Sequence, residues 1–184
     1  GGSILLAGVL LKMGAYGFVR IGWGVFPAAC ASAAPVLLAV AAAGCVWGAL
    51  AAMAQSDVKR LIAYTSVSHM GLAMLGIFHG TREGMLGGIF YLAAHGLATG
   101  GLFFAVGALY ERTHSRRLAD QGGMARRDPA FALPFTVLVL SSLAIPGLAG
   151  FVGEVAVLSD VVRASPILAA AACSTLVLGA LAML

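Results

Sequence analysis

Ile145-Pro146-Gly147-Leu148-Ala149-Gly150 lies in the middle of an apolar run, Ala130–Val162, and decides how the chain is read. As one helix that run would extend about 50 Å at 1.5 Å per residue, against a bilayer core near 30 Å. Proline removes a backbone donor and clashes with the preceding turn, and glycine permits non-helical geometry. The run therefore predicts a membrane segment broken in two near Pro146–Gly150. A break at membrane depth is tolerated only where it is buried in protein or lines a water-filled cavity.

The rest of the sequence supplies the setting. Of 184 residues, 61% are hydrophobic and 10% charged, and mean hydropathy is +1.00. Soluble domains hold about 45–50% apolar and about 25% charged residues, so this composition excludes both a soluble domain and a disordered chain. Besides the broken run, five others are long enough to span: about Ser3–Trp23, Ala34–Ala54, Lys59–Phe78, Met85–Tyr110 and Pro166–Leu184. The predicted fold is an all-α polytopic membrane protein with six transmembrane helices, the fifth broken. Pro27 and Pro35 separate the first two runs. Ser56 or Asp57 is placed to cap the third helix, and Ser165-Pro166 to start the last.

Net charge is +4, and the basic residues sit in loops, so they report topology and not nucleic-acid binding. Lys59, Arg60 and the arginines of the 111–129 loop fall on the side where the chain begins. Arg20, Arg82 and Arg163 fall on the other. The positive-inside rule makes the first side cytoplasmic. Cys30, Cys45 and Cys173 are too scattered for a metal site or a disulfide framework.

Four ionisable residues lie deep in apolar runs, each on a different predicted helix: Lys12, His69, His95 and Glu154. An unpaired charge at the bilayer centre costs at least about 2.5–3.5 kcal/mol. Four in so short a chain must face one another or shared water. Taken singly, each histidine reads equally well as a helix–helix hydrogen bond, and Glu154 as a partner for donors freed by the break. Lys12 has roughly ten apolar positions on either side and cannot easily snorkel. Together, one lysine, two histidines and a carboxylate without a metal motif form the inventory of a proton path. The hydroxyls of Tyr64, Thr65, Ser66, Ser68 and Thr99 could hold water, or simply bond within their helices. Gly71, Gly76, Gly87, Gly88, Gly96, Gly100 and Gly101 read as close-packing positions.

The stretches Leu10-Leu11-Lys12-Met13-Gly14-Ala15-Tyr16-Gly17, Asp57 through Gly71 and Gly150-Phe151-Val152-Gly153-Glu154 resemble the antiporter-like subunits of respiratory complex I, the NADH–quinone oxidoreductase. Ala94-His95-Gly96-Leu97 and Leu109 through Arg116 look like the M-type branch, the mitochondrial chain 4 equivalent. Glu154 agrees, since the L-type relative has lysine in the matching place. The resemblance covers essentially the whole chain. It implies two five-helix repeats of inverted topology in the full-length relatives. Residues 1–184 would then be a single membrane domain from the C-terminal half: the last helix of the first repeat plus the second repeat.

The resemblance further implies that Lys12 matches the central lysine of the hydrophilic axis. His69 and His95 match the relay histidines, and Glu154 the terminal carboxylate. It implies proton translocation coupled to electron transfer elsewhere, with NAD, FMN, iron–sulfur clusters and quinone on other subunits and no cofactor in this chain. The implied partners are the other membrane subunits, including neighbouring antiporter-like ones, and the lipid bilayer, with no nucleic acid. The abundance of alanine and glycine points to a bacterial plasma membrane ahead of a mitochondrial inner membrane. The runner-up readings are a subunit of a multisubunit Na+/H+ antiporter or of an energy-converting hydrogenase. A non-conducting structural membrane subunit is a further alternative, opposed only by the buried ionisable quartet.

Overall fold

The computed structural model describes residues 2–183, so Leu184, in the last predicted run, lies outside the described residues. Helices α1 Gly2–Trp23, α2 Pro27–Met53, α3 Val58–His79 and α4 Arg82–Thr113 come first. They are followed by short turns at Leu118–Gln121 and Met124–Arg127, then α5 Pro129–Ser142, α6 Ala149–Ala164 and α7 Pro166–Met183. No strand occurs among the described residues. Five of these helices (α1, α2, α3, α4 and α7) are long and apolar enough to cross a membrane. The fifth predicted segment is α5 and α6, and it is broken where the Pro/Gly cluster placed it.

α3 is the hub. It packs against α2, α4, α6 and α7, while α1 and α5 flank α4. Its neighbours account for its burial: Ile62, Leu72, Leu75 and Ile77 are fully enclosed. Glycine makes these approaches possible. A Cβ at Gly71 would come within 2.7 Å of the Ala41 carbonyl on α2, and one at Gly76 within 2.5 Å of the Gly84 carbonyl on α4. Seams of small residues let membrane helices approach backbone to backbone, where dispersion replaces the missing hydrophobic drive.

The ends match their predicted signals. The Asp57 side chain accepts hydrogen bonds from the amides of Lys59 (2.7 Å) and Arg60 (3.1 Å), capping α3. Pro166 opens α7. At the other end of α3, Gly80 adopts φ +76°, and a side chain there would strike the Trp23 ring. The Trp23 indole donates to the Ile77 carbonyl at 3.0 Å, pinning α1 to this end.

One boundary differs. The second helix starts at Pro27, not near Ala34, and Pro35 lies inside it. Pro27 is at the first helical turn, where a missing N–H costs nothing, whereas Pro35 is an interior position that forfeits one backbone hydrogen bond while the helix continues through it.

The predicted side assignment has a structural counterpart. The amide of Val58 donates to the Arg116 carbonyl at 3.0 Å, and that of Leu118 to the Ser56 carbonyl at 3.0 Å. The 111–129 loop and the start of α3 therefore share one end of the bundle.

Candidate proton path

The break in the fifth segment builds one wall of the site. α5 stops at Ser142, and the chain turns through Ala144 (φ +48°) and Gly147 (φ +99°) before α6 begins at Ala149. A Cβ at Gly150 would fall 2.9 Å from the Ser141 carbonyl, so the two halves fold closely against each other only because residue 150 is glycine. Glu154 lies one helical turn beyond the start of α6. Next to it, Gly153 rests on the backbone of Tyr91, where a Cβ would sit at 2.8 Å. Glu154 is thereby turned into the bundle, 2% exposed, and its Oε1 meets no hydrogen-bond partner among the described residues.

α3 and α4 supply the centre. His69 and His95 are each 4% exposed, with ring centroids 5.5 Å apart. Tyr91, one turn before His95 on the same face of α4, completes a triangle of rings, 6.1 Å from His69 and 6.3 Å from His95. Its hydroxyl lies 2.6 Å from His69 Nδ1. His69 Nε2 faces Gly179 on α7. Both ring nitrogens of His95 are buried without a hydrogen-bond partner among the described residues. Buried polar atoms are overwhelmingly hydrogen-bonded, which sets these two nitrogens and Glu154 Oε1 apart from the rest of the interior.

Lys12 enters from α1. The helix widens into a π turn over Leu6–Leu10, and the Leu11 amide reaches back five residues to Leu6 instead of four to Ala7. The Ala7 carbonyl then accepts a hydrogen bond from the Lys12 ammonium. π turns of this kind recur at functional positions in helices. The lysine stem lies across Gly96 of α4, 3.5 Å from where its Cβ would be, beside His95. Lys12 is half-buried at the wall of a cavity of about 1050 Å³ between α1 and α4, lined also by Gly8, Tyr16 and Leu92. Of the four residues singled out in the sequence, His69, His95 and Glu154 are enclosed in the bundle, and Lys12 lies half-buried on the open groove between α1 and α4.

The hydroxyls separate into two groups. Thr65, Ser66 and Thr99 bond carbonyls of their own helices (Ile62, Ile62 and His95), so they do not line the layer as donors. Ser68 reaches across, donating to the Cys45 carbonyl at 2.7 Å and lying 3.1 Å from the Thr175 hydroxyl.

Sequence reading missed two features. Tyr91 is one; its spacing of four from His95 was the available signal. The other is a cluster at the opposite end of α3 from Asp57. There, His79 Nδ1 lies 2.6 Å from Asp160 Oδ2, and the Thr81 hydroxyl donates to Oδ1 at 2.7 Å. In the sequence, His79 and Thr81 fall between the apolar runs Lys59–Phe78 and Met85–Tyr110. Only the packing of α6 brings Asp160 to them.

The family described as NADH:quinone oxidoreductase/Mrp antiporter, transmembrane, matches residues 1–179. The chain belongs to this family. Among members, it is 41% identical over 179 residues to NADH-quinone oxidoreductase subunit M of Rhodobacter capsulatus, covering 97% of this chain and 35% of that one. It is 45% identical over 153 residues to NADH-ubiquinone oxidoreductase chain 4 of Metridium senile, covering 83% and 31%. The names agree with the M-type resemblance of its motifs. The solved respiratory complex I from Thermus thermophilus with bound NADH holds a chain of the same fold, with TM-score 0.89 and 41% identity over 94% of this chain and 37% of that one. The Mrp complex from Dietzia is more distant, at TM-score 0.75 and 30% identity over 83% of this chain and 28% of that one. The chain spans about a third of the length of these relatives.

Proposed function

We propose that this chain is the proton-conducting part of an M-type membrane subunit of a NADH–quinone oxidoreductase, carrying protons through Lys12, His95, His69 and Glu154. The observation that carries the reading is the buried layer itself. Two histidines and a glutamate from three helices converge in the bundle with three unpartnered polar atoms, and a lysine lies against the same helix face. A structural network would be expected to satisfy its members, because low local dielectric makes an unpaired buried polar group costly. A conducting one needs groups free to take up and release protons.

In the proposed sequence, the Lys12 ammonium releases a proton toward His95, the imidazole pair passes it across α4 and α3, and the Glu154 carboxylate receives it. Each transfer changes the charge of both partners, so each step alters the energy of the next. Electron transfer on other subunits, which carry the NAD, FMN, iron–sulfur and quinone chemistry, would bias that charge pattern. Subunit M partners, including neighbouring antiporter-like chains, would meet the path beyond Glu154, and the setting would be a bacterial plasma membrane. We place residues 1–184 as the last helix of one repeat and most of the next. Identity and TM-score both favour complex I over the Mrp-type exchanger.

The test is proton translocation in membrane vesicles by the assembled complex carrying Lys12→Ala in the full-length subunit, with assembly checked on native gels. A loss of roughly tenfold or more is expected, since lysine is the central cation of the path. Wild-type pumping by an intact complex would mean that the charged axis is structural.

A further inference from the structure

Resting on the proton-path reading above, we infer that Tyr91 is itself a proton-carrying residue, handing protons from His69 to Glu154. The phenol is 2% exposed, and its oxygen lies 2.6 Å from His69 Nδ1, the only hydrogen bond it makes among the described residues. The two nitrogens of His69 thus have different neighbours: Nε2 faces Gly179 on α7, and Nδ1 is committed to Tyr91. An imidazolium formed by proton uptake at Nε2 can pass a proton on from Nδ1 to the phenol.

The far side of Tyr91 is set by α6. Gly153 packs directly on the Tyr91 backbone, so the next residue, Glu154, lies on the helix that borders Tyr91, buried and with Oε1 unpartnered. A phenol is suited to the place between them because its oxygen accepts one proton as it gives up another. In the step, the His69 Nδ1–H bond breaks and a new O–H bond forms on Tyr91. At the same time the original Tyr91 O–H bond breaks, and its proton passes through water to the Glu154 carboxylate. His69 changes from imidazolium to imidazole and Glu154 from carboxylate to carboxylic acid. Tyr91 ends as the phenol it began as, and no other reactant is needed. Phenylalanine would fill the same volume without providing this step.

The experiment places Tyr91→Phe, His69→Ala, the double variant and Lys12→Ala in the full-length subunit and measures proton translocation per assembled complex. Tyr91→Phe is expected to lower pumping about five-fold, the size of one lost hydrogen bond. Because Tyr91 acts through His69, the double variant is expected to pump no less than His69→Ala alone. A residue that only props the helices would add its full effect in both backgrounds, and that result overturns the inference. Normal pumping by Tyr91→Phe while Lys12→Ala is impaired removes Tyr91 from the path and leaves the path standing. Normal pumping by Lys12→Ala removes the path, and this inference with it. Should Tyr91→Phe fail to assemble, 3-fluorotyrosine at position 91 keeps ring and hydroxyl but makes the phenol more acidic. A change in pumping of more than about two-fold is then expected, and an unchanged rate refutes the role.

Discussion

α6 carries two carboxylates, Glu154 and Asp160, six residues and about 9 Å apart along the helix. Both are buried, at 2% and 8% exposure. Asp160, at the outer end, is fully engaged: His79 binds one oxygen and Thr81 the other. Thr81 also caps α4 through the Gly84 amide at 3.0 Å, so the cluster locks α3, α4 and α6 together where the chain turns. Glu154, at the middle, has an oxygen that nothing holds. Same helix and same chemistry give two roles, and the difference lies in what the neighbouring helices present. A carboxylate surrounded by donors is a fastening. One with an oxygen that no donor holds has no such tie, and under the proposed reading it is free to take up a proton.

That contrast can be broken most directly at Glu154. In the full-length assembled complex, Glu154→Gln is expected to reduce proton pumping by roughly an order of magnitude or more, because an amide keeps the shape but carries no proton. Glu154→Asp is expected to retain substantially more. Equal activity of Gln and wild type in vesicle assays would make Glu154 as structural as Asp160.

The histidines come next. His69→Ala and His95→Ala are each expected to lose less pumping than Lys12→Ala, since one imidazole can substitute for the other through water, while the double variant falls to the Lys12→Ala level. Initial rates of vesicle acidification decide this. If each single variant is already as deficient as the double, the pair is a strict series and not an exchangeable relay.

Asp160→Ala tests the fastening. It strands His79 and Thr81, so a destabilisation of about 1–3 kcal/mol is expected. It would show as a lower thermal midpoint and lower assembly yield, with pumping per assembled complex within about two-fold of wild type. A normal midpoint with lost pumping would reverse the two carboxylates' roles.

The smallest effects separate packing glycines from idle ones. Gly76→Ala forces a Cβ to 2.5 Å from the Gly84 carbonyl and 2.9 Å from Val157, so a loss of about 1–3 kcal/mol is expected in the melting of the complex. Gly107, on α4, has nothing within 4 Å of its Cβ position, and Gly107→Ala is expected to be neutral or to stabilise by up to about 1 kcal/mol.

Much of the fold was legible because membrane helices are written in composition and length. Apolar runs of spanning length, Asp57 as a cap, and Ile145-Pro146-Gly147 as a break each act through local backbone chemistry. Pro35 shows the limit: locally it is a breaker, yet the helix from Pro27 absorbs it. Of the site, Lys12, His69, His95 and Glu154 stood out because charge inside an apolar run is costly wherever it lies. Tyr91 did not, since a tyrosine in a membrane helix is ordinary until its hydroxyl is seen beside His69. His79 and Asp160, each near a helix end, gave no cost signal at all.

The sequence by itself determined that this chain is a membrane bundle with a broken helix and four titratable groups at depth. These follow from the hydrophobicity and backbone limits of individual residues. Tertiary structure alone decided which groups meet. Glycine seams set how near the helices come, so that His69, Tyr91 and His95 meet as a triangle of rings, with Glu154 buried on the helix packed against Tyr91, while Asp160 is tied off at the end. Which of two carboxylates stays free depends on donors brought from other helices, and no spacing along one chain segment encodes that.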